Sequence, residues 1–186
     1  MEYLKRLVGY GLVVGLGVLL TIQLRDAVLG ASLAEKRVCL GLQPVELNAQ
    51  APDWSLTDLA GKKHSLSDYK GRTLLLHFWF TQCPPCIEEL PSLVHMAARM
   101  AGNKKFEVVT VNVDDNIADV KAFAKKHKLG GLPILYDKSK KVPRSYGTLK
   151  FPESYLIDGS GVVRYRFVNK RNWESHLARA CIATML

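Results

Sequence analysis

The pattern of apolar and polar positions predicts an apolar front end followed by alternating strands and helices. Short β-branched or aromatic runs are typical of buried strands, and apolar residues at helical spacing are typical of helices packed on a sheet. The predicted strands cover 73–80, 106–113, 132–136, 154–157 and 162–168, a further hairpin covers 54–66, and the predicted helices cover 85–100, 117–127 and 173–185. Because the last two strands flank the turn sequence Asp-Gly-Ser-Gly, they form a hairpin. The order predicts an α/β fold with a mixed central sheet and helices on both faces.

The front end of the chain predicts a membrane anchor. Residues 7–24 carry no charged side chain, and a helix needs about 20 residues to cross the hydrocarbon core. Basic residues precede the run, while Arg25 and Asp26 after it cancel, which favours a cytoplasmic N-terminus. Cleavage of a signal peptide is the alternative, since residues 32–34 read Ser-Leu-Ala. We expect an uncleaved signal anchor.

These patterns divide the chain into three parts. We predict a cytoplasmic stub and transmembrane helix over 1–26, a linker over 27–50, and the α/β domain over 51–186. With 48% apolar and 23% charged residues the chain is neither disordered nor collagen-like, and four cysteines are too few for a disulfide-dense scaffold. The net charge is +9, but the basic residues are scattered and form no arginine-rich stripe. We therefore expect no nucleic-acid partner.

The candidate chemistry lies in Cys83-Pro84-Pro85-Cys86, between a predicted strand and a predicted helix. We expect the Cys83 sulfur to lie exposed at the helix N-terminus, where backbone amides and the macrodipole favour a thiolate. Cys86 is close enough to form a disulfide with it. Pro84 and Pro85 fit a first helical turn, but they remove two N–H donors from the thiolate, which favours a more reducing pair.

Other uses of two cysteines at this spacing fit less well. A zinc site needs a second such pair, and Cys39 and Cys181 each stand alone. Attachment of c-type haem needs a histidine after the second cysteine, where this chain has Ile87. An inert structural disulfide is the remaining alternative. The strand before the pair and the helix after it favour a redox role.

A set of short motifs in a fixed order surrounds this pair. They are Ala51–Trp54, Leu59–Gly61, Phe78–Trp79, Cys83–Cys86, Glu89–Pro91, Val111–Asp114, Leu132–Pro133, Tyr146–Gly147, Phe151–Pro152, Tyr155–Asp158 and Gly161. With these motifs the chain resembles the membrane-anchored, extracytoplasmic thioredoxin-like proteins of the TlpA, ResA and CcmG type. The resemblance runs from about residue 51 to residue 173, and it implies a thioredoxin-like fold.

The resemblance also implies roles for single residues. Cys83 is expected to be the nucleophile and Cys86 the buried resolving cysteine. Pro152 is expected to follow a cis peptide bond and, with Phe151 and Gln82, to contact the substrate. Glu89 matches an acidic residue of the family that accepts the proton of the resolving thiol; its alternative is a solvated glutamate on the helix surface. The family usually has tryptophan where this chain has Gln82, so the resemblance does not imply how partners dock here.

Two further departures concern residues outside the motif. His77 occupies the strand position where thioredoxins carry a buried aspartate, and it is expected to be either a hydrogen-bonded core histidine, the favoured reading, or a base. Cys39 and Cys181 have no counterpart in the family. Outside the cytoplasm free thiols are at risk of oxidation, so a disulfide between these two is one pairing that the sequence allows. It requires their Cα atoms to lie within about 7 Å.

The resemblance implies a thiol-disulfide oxidoreductase on the outer side of the bacterial inner membrane, held there by a single span. We expect it to reduce disulfides in exported proteins, apocytochrome c among them, and to be re-reduced by a thiol donor in the membrane. We expect no cofactor, because the Cys83–Cys86 disulfide is itself the redox group. The alternatives are an oxidase or isomerase of exported proteins, and a copper-binding module using both cysteines and a histidine. A peroxidase fits less well, because Phe80 and Leu76 stand where peroxiredoxins place threonine and proline.

Overall fold

A computed structural model of the chain describes residues 15–25 and 37–186. The chain divides into two units, Met1–Val38 and Cys39–Leu186. In the first unit residues 15–25 are helical and exposed, and residues 7–14 of the predicted anchor and the alternative cleavage site at 32–34 lie outside the described residues. Among the described residues, no helix combines the length and the apolar character that crossing a membrane requires.

The second unit is built on one mixed sheet, which has eight strands within the described residues. The strands are β1 (Val45–Gln50), β2 (Ser55–Asp58), β3 (Lys63–Ser65), β4 (Thr73–Trp79), β5 (Phe106–Asn112), β6 (Ile134–Tyr136), β7 (Glu153–Ile157) and β8 (Val162–Val168). Their order across the sheet is β1-β8-β7-β4-β5-β6-β2-β3. Strands β4, β5 and β6 run parallel, and every other neighbouring pair is antiparallel. The predicted mixed sheet is confirmed.

Helices follow the parallel strands, as the alternating pattern predicts. They are α1 (Pro84–Met100), α2 (Ile117–Lys126), α3 (Lys141–Ser145) and α4 (His176–Ala183), with a 3-10 turn at Leu66–Tyr69. Helix α4 begins three residues later than predicted, because the Ser175 hydroxyl accepts the Ala178 N–H and so caps it there. The strand predicted at 132–136 begins only at Ile134, after Pro133, which has no N–H for a ladder.

Strand β1 lies within the stretch that the sequence predicts to be a linker. It pairs with β8 at the edge of the sheet, with a register shift between Glu46 and Ala49. Its side chains are all exposed, so the strand has no buried face to produce the alternation that marks a strand in sequence. Asn48 has a φ of 49°, a conformation that asparagine tolerates better than most residues.

The central strand β4 is buried along its whole length and separates two cores. On one face Leu74, Leu76 and Phe78 belong to an aromatic core that includes Trp54 and Tyr146. The opposite face carries His77, which lies beneath α1 and faces Glu89 of that helix. Because successive strand side chains point to opposite faces, His77 lies on the face opposite Leu76 and Phe78, under the helix that follows the strand.

Candidate active site

The cysteine pair lies where β4 passes into α1. Cys83 is the N-cap residue of α1, and its sulfur accepts the backbone N–H of Cys86 at 3.3 Å. Pro84 and Pro85 occupy the first two helical positions, where a missing N–H costs no intrahelical bond. Cys83 and Cys86 are joined in a disulfide. The predicted placement of the pair at the helix N-terminus is therefore confirmed.

The predicted exposure of Cys83 is wrong for this oxidised state. Cys83 is only 3% exposed, and Cys86 is fully buried. The Cys83 sulfur turns inward over the first helical turn, because it is bonded to Cys86 and accepts the Cys86 N–H. In this oxidised state an attacking thiolate therefore has little access to either sulfur.

Glu89 lies one helical turn after Cys86, on the buried side of α1. The residue is 2% exposed, so the alternative of a solvated surface glutamate is wrong. Its Oε1 accepts a hydrogen bond from Nε1 of Trp173 at 2.5 Å. Burial raises the pKa of Glu89 to about 8, and the Trp173 bond acts in the opposite direction. A carboxyl held in this way can carry a proton at neutral pH and release it just above.

His77 is the second buried titratable group beneath the helix. Its side chain is fully buried, and its Nδ1 lies 2.9 Å from the Ser154 hydroxyl and 4.0 Å from Oε1 of Glu89. Burial lowers the pKa of His77 to about 3, which makes it neutral at physiological pH. The expectation of a hydrogen-bonded core histidine is confirmed. The other candidate role, that of a base, stays a prediction.

The loops on the other side of the disulfide hold the residues predicted to contact a substrate. The Phe151–Pro152 peptide bond is cis, as the resemblance implies. The Phe151 ring packs edge-on against Phe80 at a centroid distance of 5.5 Å. Phe151 and Gln82 line one groove of about 480 Å³, together with Asp114. The structure thus brings Gln82 and Phe151 together, and their contact with a substrate stays a prediction.

Asp114 fixes the loop that carries Gln82. Its carboxylate accepts the Thr81 N–H at 2.9 Å and the Thr81 hydroxyl at 3.1 Å. The same carboxylate accepts the side-chain amide of Asn112 at 2.7 Å, at the end of β5. The approach to Cys83 is therefore held by the strand next to β4.

The other two cysteines lie apart from this site. Cys39 and Cys181 form a disulfide with a Cα–Cα distance of 4.6 Å, so the pairing that the sequence allows is present. Both residues are buried, and the bond joins the start of the second unit to α4. In the part of the chain that the structure describes, no three histidine, cysteine or acidic side chains gather in a way that could hold a metal ion.

Sequence reasoning missed Trp173 and Ser154 as members of the site. Trp173 lies 84 residues from Glu89 and reaches it from the segment before α4. Ser154 reaches His77 from β7, the antiparallel neighbour of β4. The contact between Ser154 and His77 could have been found only if the register between β4 and β7 had been known. No local pattern points to the contact between Trp173 and Glu89.

Comparisons with known proteins agree with this geometry. The profile of the AhpC/TSA family matches residues 47–166. Thiol-disulfide oxidoreductase ResA of Bacillus thuringiensis subsp. konkukian is 35% identical over 121 residues, which are 65% of this chain and 69% of that protein. Thioredoxin-like protein YneN of Bacillus subtilis is 38% identical over 123 residues, covering 64% and 70%.

A solved structure has a similar fold. A Chlorobium tepidum protein assigned as thiol:disulfide interchange protein DsbE superposes with a TM-score of 0.68 at 30% identity, over 76% of this chain and 99% of that one. The chain therefore belongs to the AhpC/TSA family, and within it to the thioredoxin-like thiol-disulfide oxidoreductases.

Proposed function

We propose that the protein reduces disulfide bonds in exported proteins, with Cys83 as nucleophile and Cys86 as resolving cysteine. The observation that carries the proposal is the position of Cys83 at the N-cap of α1, with Cys86 in the same turn and the Glu89 carboxyl buried one turn further on. Nucleophile, resolving thiol and proton acceptor thus lie in order along one helix. Electrons are carried by the two sulfurs themselves, so the reaction draws on no further cofactor.

The reaction proceeds in two exchanges. The Cys83 thiolate attacks one sulfur of the substrate disulfide, which forms a mixed disulfide and releases the first substrate sulfur as a thiolate. Cys86 then loses its proton to the Glu89 carboxylate and attacks the Cys83 sulfur. The Cys83–Cys86 bond forms, and the bond between Cys83 and the substrate breaks. Two electrons pass to the substrate, whose second sulfur leaves as a thiolate.

The protonation state of Glu89 decides whether the carboxyl accepts a proton or donates one. Because burial raises its pKa to about 8, most of the population is protonated at pH 7 and only a minor fraction can accept a proton. Resolution by Cys86 therefore speeds up as the pH rises toward 8. In the reverse half-reaction, when a donor thiolate attacks Cys83, the protonated Glu89 supplies the proton that the leaving Cys86 thiolate takes up.

The first turn of α1 supports a reductant rather than an oxidant. Pro84 and Pro85 remove two backbone N–H groups that would otherwise face the Cys83 thiolate, and the Cys86 N–H is the donor that the structure gives its sulfur. A thiolate with fewer donors is less stabilised, and the dithiol form is then a stronger reductant. An oxidase or isomerase requires the opposite balance.

We propose that the protein works on the outer side of the bacterial inner membrane, anchored by residues 7–24. The uncharged run, with basic residues before it, supports this placement. A membrane-bound thiol protein then serves as electron donor. The substrate is an exported protein with an accessible disulfide, and apocytochrome c before haem attachment is our first candidate.

Trapping of the mixed disulfide tests the proposal. In the full-length Cys86→Ala variant the second exchange cannot occur, so the substrate stays bonded to Cys83. We expect adducts in membranes that thiol reagents release, and no such adducts in the matched Cys83→Ala/Cys86→Ala variant. Equal adduct levels in both variants, or none in either, would overturn the proposed reaction.

A further inference from the structure

Two buried titratable side chains meet beneath the cysteine pair, and the proposed reaction uses only one of them. His77 projects from β4 and Glu89 from α1, with Nδ1 and Oε1 4.0 Å apart and both side chains 1% exposed or less. In the described part of the chain, His77 Nε2 and Glu89 Oε2 have no hydrogen-bond partner. Leaving a buried polar atom without a partner costs about 1–3 kcal/mol. Two such atoms in one cluster call for an explanation beyond packing.

We propose that His77 is a positioning residue for Glu89: it turns its Nδ1–H toward the carboxylate when Glu89 releases its proton. The distance of 4.0 Å is longer than a hydrogen bond, so the ring has to turn to donate to the carboxylate. An ionised carboxylate attracts a nearby donor strongly in a buried site. His77 is the side chain that can supply one from the sheet side.

The contact between His77 and Ser154 allows the ring to make this change without losing a partner. The hydroxyl lies 2.9 Å from Nδ1 and can either donate or accept. While Glu89 is protonated, the Nδ1–H of His77 donates to the Ser154 oxygen. When Glu89 ionises, the same Nδ1–H turns so that it lies between the carboxylate and the Ser154 oxygen. The ring stays neutral in both states, in agreement with its burial.

The other groups around the pair leave this role to His77. From the segment before α4, Trp173 donates to Oε1 of Glu89, and the backbone amide of Arg171 and the charges of Lys170 and Arg171 also favour its ionised form. From β5, Thr110 lies beside His77 in the parallel register, but its hydroxyl donates to the carbonyl of Pro133. Burial outweighs the surrounding charges, since the pKa of Glu89 remains raised. A further hydrogen-bond donor to the carboxylate therefore lowers the pKa of Glu89.

The consequence for the reaction rests on the proposed function. If Glu89 accepts the Cys86 proton, a donor that stabilises its carboxylate increases the fraction ready to accept at neutral pH. His77 then affects the resolving step without touching either cysteine or the substrate. The link between His77 and Glu89 itself is a property of the oxidised protein and is measurable without any substrate.

Nitrogen NMR of the histidine rings in the full-length protein tests the inference. We expect the Nδ1 shift of His77 to change together with the shift of the Glu89 carboxyl carbon, at the same midpoint, while Nδ1 stays the protonated ring nitrogen. In Glu89→Gln this transition should disappear. His95, an exposed histidine 2.8 Å from Glu174, serves as the matched pair, and its signals should be unaffected by Glu89→Gln. His77 nitrogen shifts that stay flat through the Glu89 titration would overturn the inference.

A second measurement uses His77→Phe, which keeps a ring of similar shape and removes both nitrogens. We expect the Glu89 midpoint to rise by about one pH unit, a tenfold loss of carboxylate at neutral pH. His95→Asn should leave that midpoint unchanged. An unaltered midpoint in His77→Phe would contradict the role given to His77. Neither measurement depends on turnover, so failure of the trapping experiment and failure of this inference are distinguishable.

Discussion

Nε1 of Trp173 donates a hydrogen bond to Oε1 of Glu89, which ties the segment before α4 to the helix that carries the cysteine pair. This bond favours the ionised carboxyl, while burial favours the neutral one. A hydrogen bond to a charged group contributes about 1.5–3 kcal/mol, or one to two pH units. The pKa of Glu89 is therefore a balance between burial and several groups distant in sequence, of which Trp173 has the largest effect.

Replacement of Trp173 should shift that balance. In Trp173→Phe the donor is lost and most of the apolar contact is kept, so we expect the Glu89 pKa to rise by one to two units. Carbon NMR of the carboxyl group over a pH titration measures it directly. Trp54→Phe is the matched control, because Trp54 packs in the core on the other face of the sheet. A pKa that moves equally in both variants would argue against a specific effect of Trp173.

The two buried titratable groups should give the stability of the protein a defined dependence on pH. Glu89 has a pKa of about 8 when folded and 4.5 as an isolated group, so its contribution decreases as the pH rises from 4.5 to 8. His77 has a pKa of about 3 when folded and 6.5 as an isolated group, so its contribution increases from pH 3 to 6.5. The two oppose each other between pH 4.5 and 6.5, and only the decrease from Glu89 remains above 6.5.

Glu89→Gln isolates that decrease. We expect the variant to lose the fall in unfolding free energy between pH 6.5 and 8, which amounts to at most about 1.4 kcal/mol for each pH unit. Denaturant unfolding at several pH values measures it. Glu88→Gln, a change at the exposed neighbour, is the control and should keep the wild-type slope. Identical slopes for Glu89→Gln and the wild type would show that Glu89 is already ionised in this range.

Much of this architecture could be predicted from the sequence, because it rests on local patterns. The apolar run of β4 and the helical spacing after Pro85 place the cysteine pair at a strand-to-helix junction, and the structure agrees. Glu89 is on the inner face because it lies one helical turn from Cys86.

What could not be predicted depends on tertiary contacts or on an absent pattern. Trp173 meets Glu89 only after the sheet has formed, and β1 has no buried face to mark it. The exposure of Cys83 was predicted wrongly because the rule for a helix N-terminus describes the free thiolate, whereas the structure holds the disulfide, whose sulfur turns inward. The domain limits at residues 26 and 50 stay a prediction.

The Cys39–Cys181 disulfide should stabilise the fold without taking part in the reaction. It closes a separation of 142 residues between two buried positions. Loss of such a bond costs about 2–5 kcal/mol. We expect the Cys39→Ala/Cys181→Ala variant to unfold at lower denaturant concentration and, while folded, to retain its disulfide reductase rate. A folded variant with a rate reduced tenfold or more would instead place this bond in the reaction.

Cys83→Ala should abolish reduction of a model protein disulfide and leave the fold intact. The nucleophile is lost, and Cys86 is too deeply buried to replace it. Insulin reduction followed by turbidity measures the rate, and circular dichroism checks the fold. The Cys39→Ala/Cys181→Ala variant is the matched control, since it removes two cysteines elsewhere. Retained activity in folded Cys83→Ala would rule out Cys83 as the nucleophile.

The midpoint potential of the Cys83/Cys86 pair tests the central claim most directly. It is measured by equilibration of the full-length protein with glutathione or dithiothreitol buffers, and peptide mass analysis identifies which cysteines react. With two N–H donors removed by Pro84 and Pro85, we expect a value near or below that of thioredoxin, about −270 mV. A value near −120 mV, typical of a strong oxidant, would contradict the account and make the protein an oxidase of exported proteins.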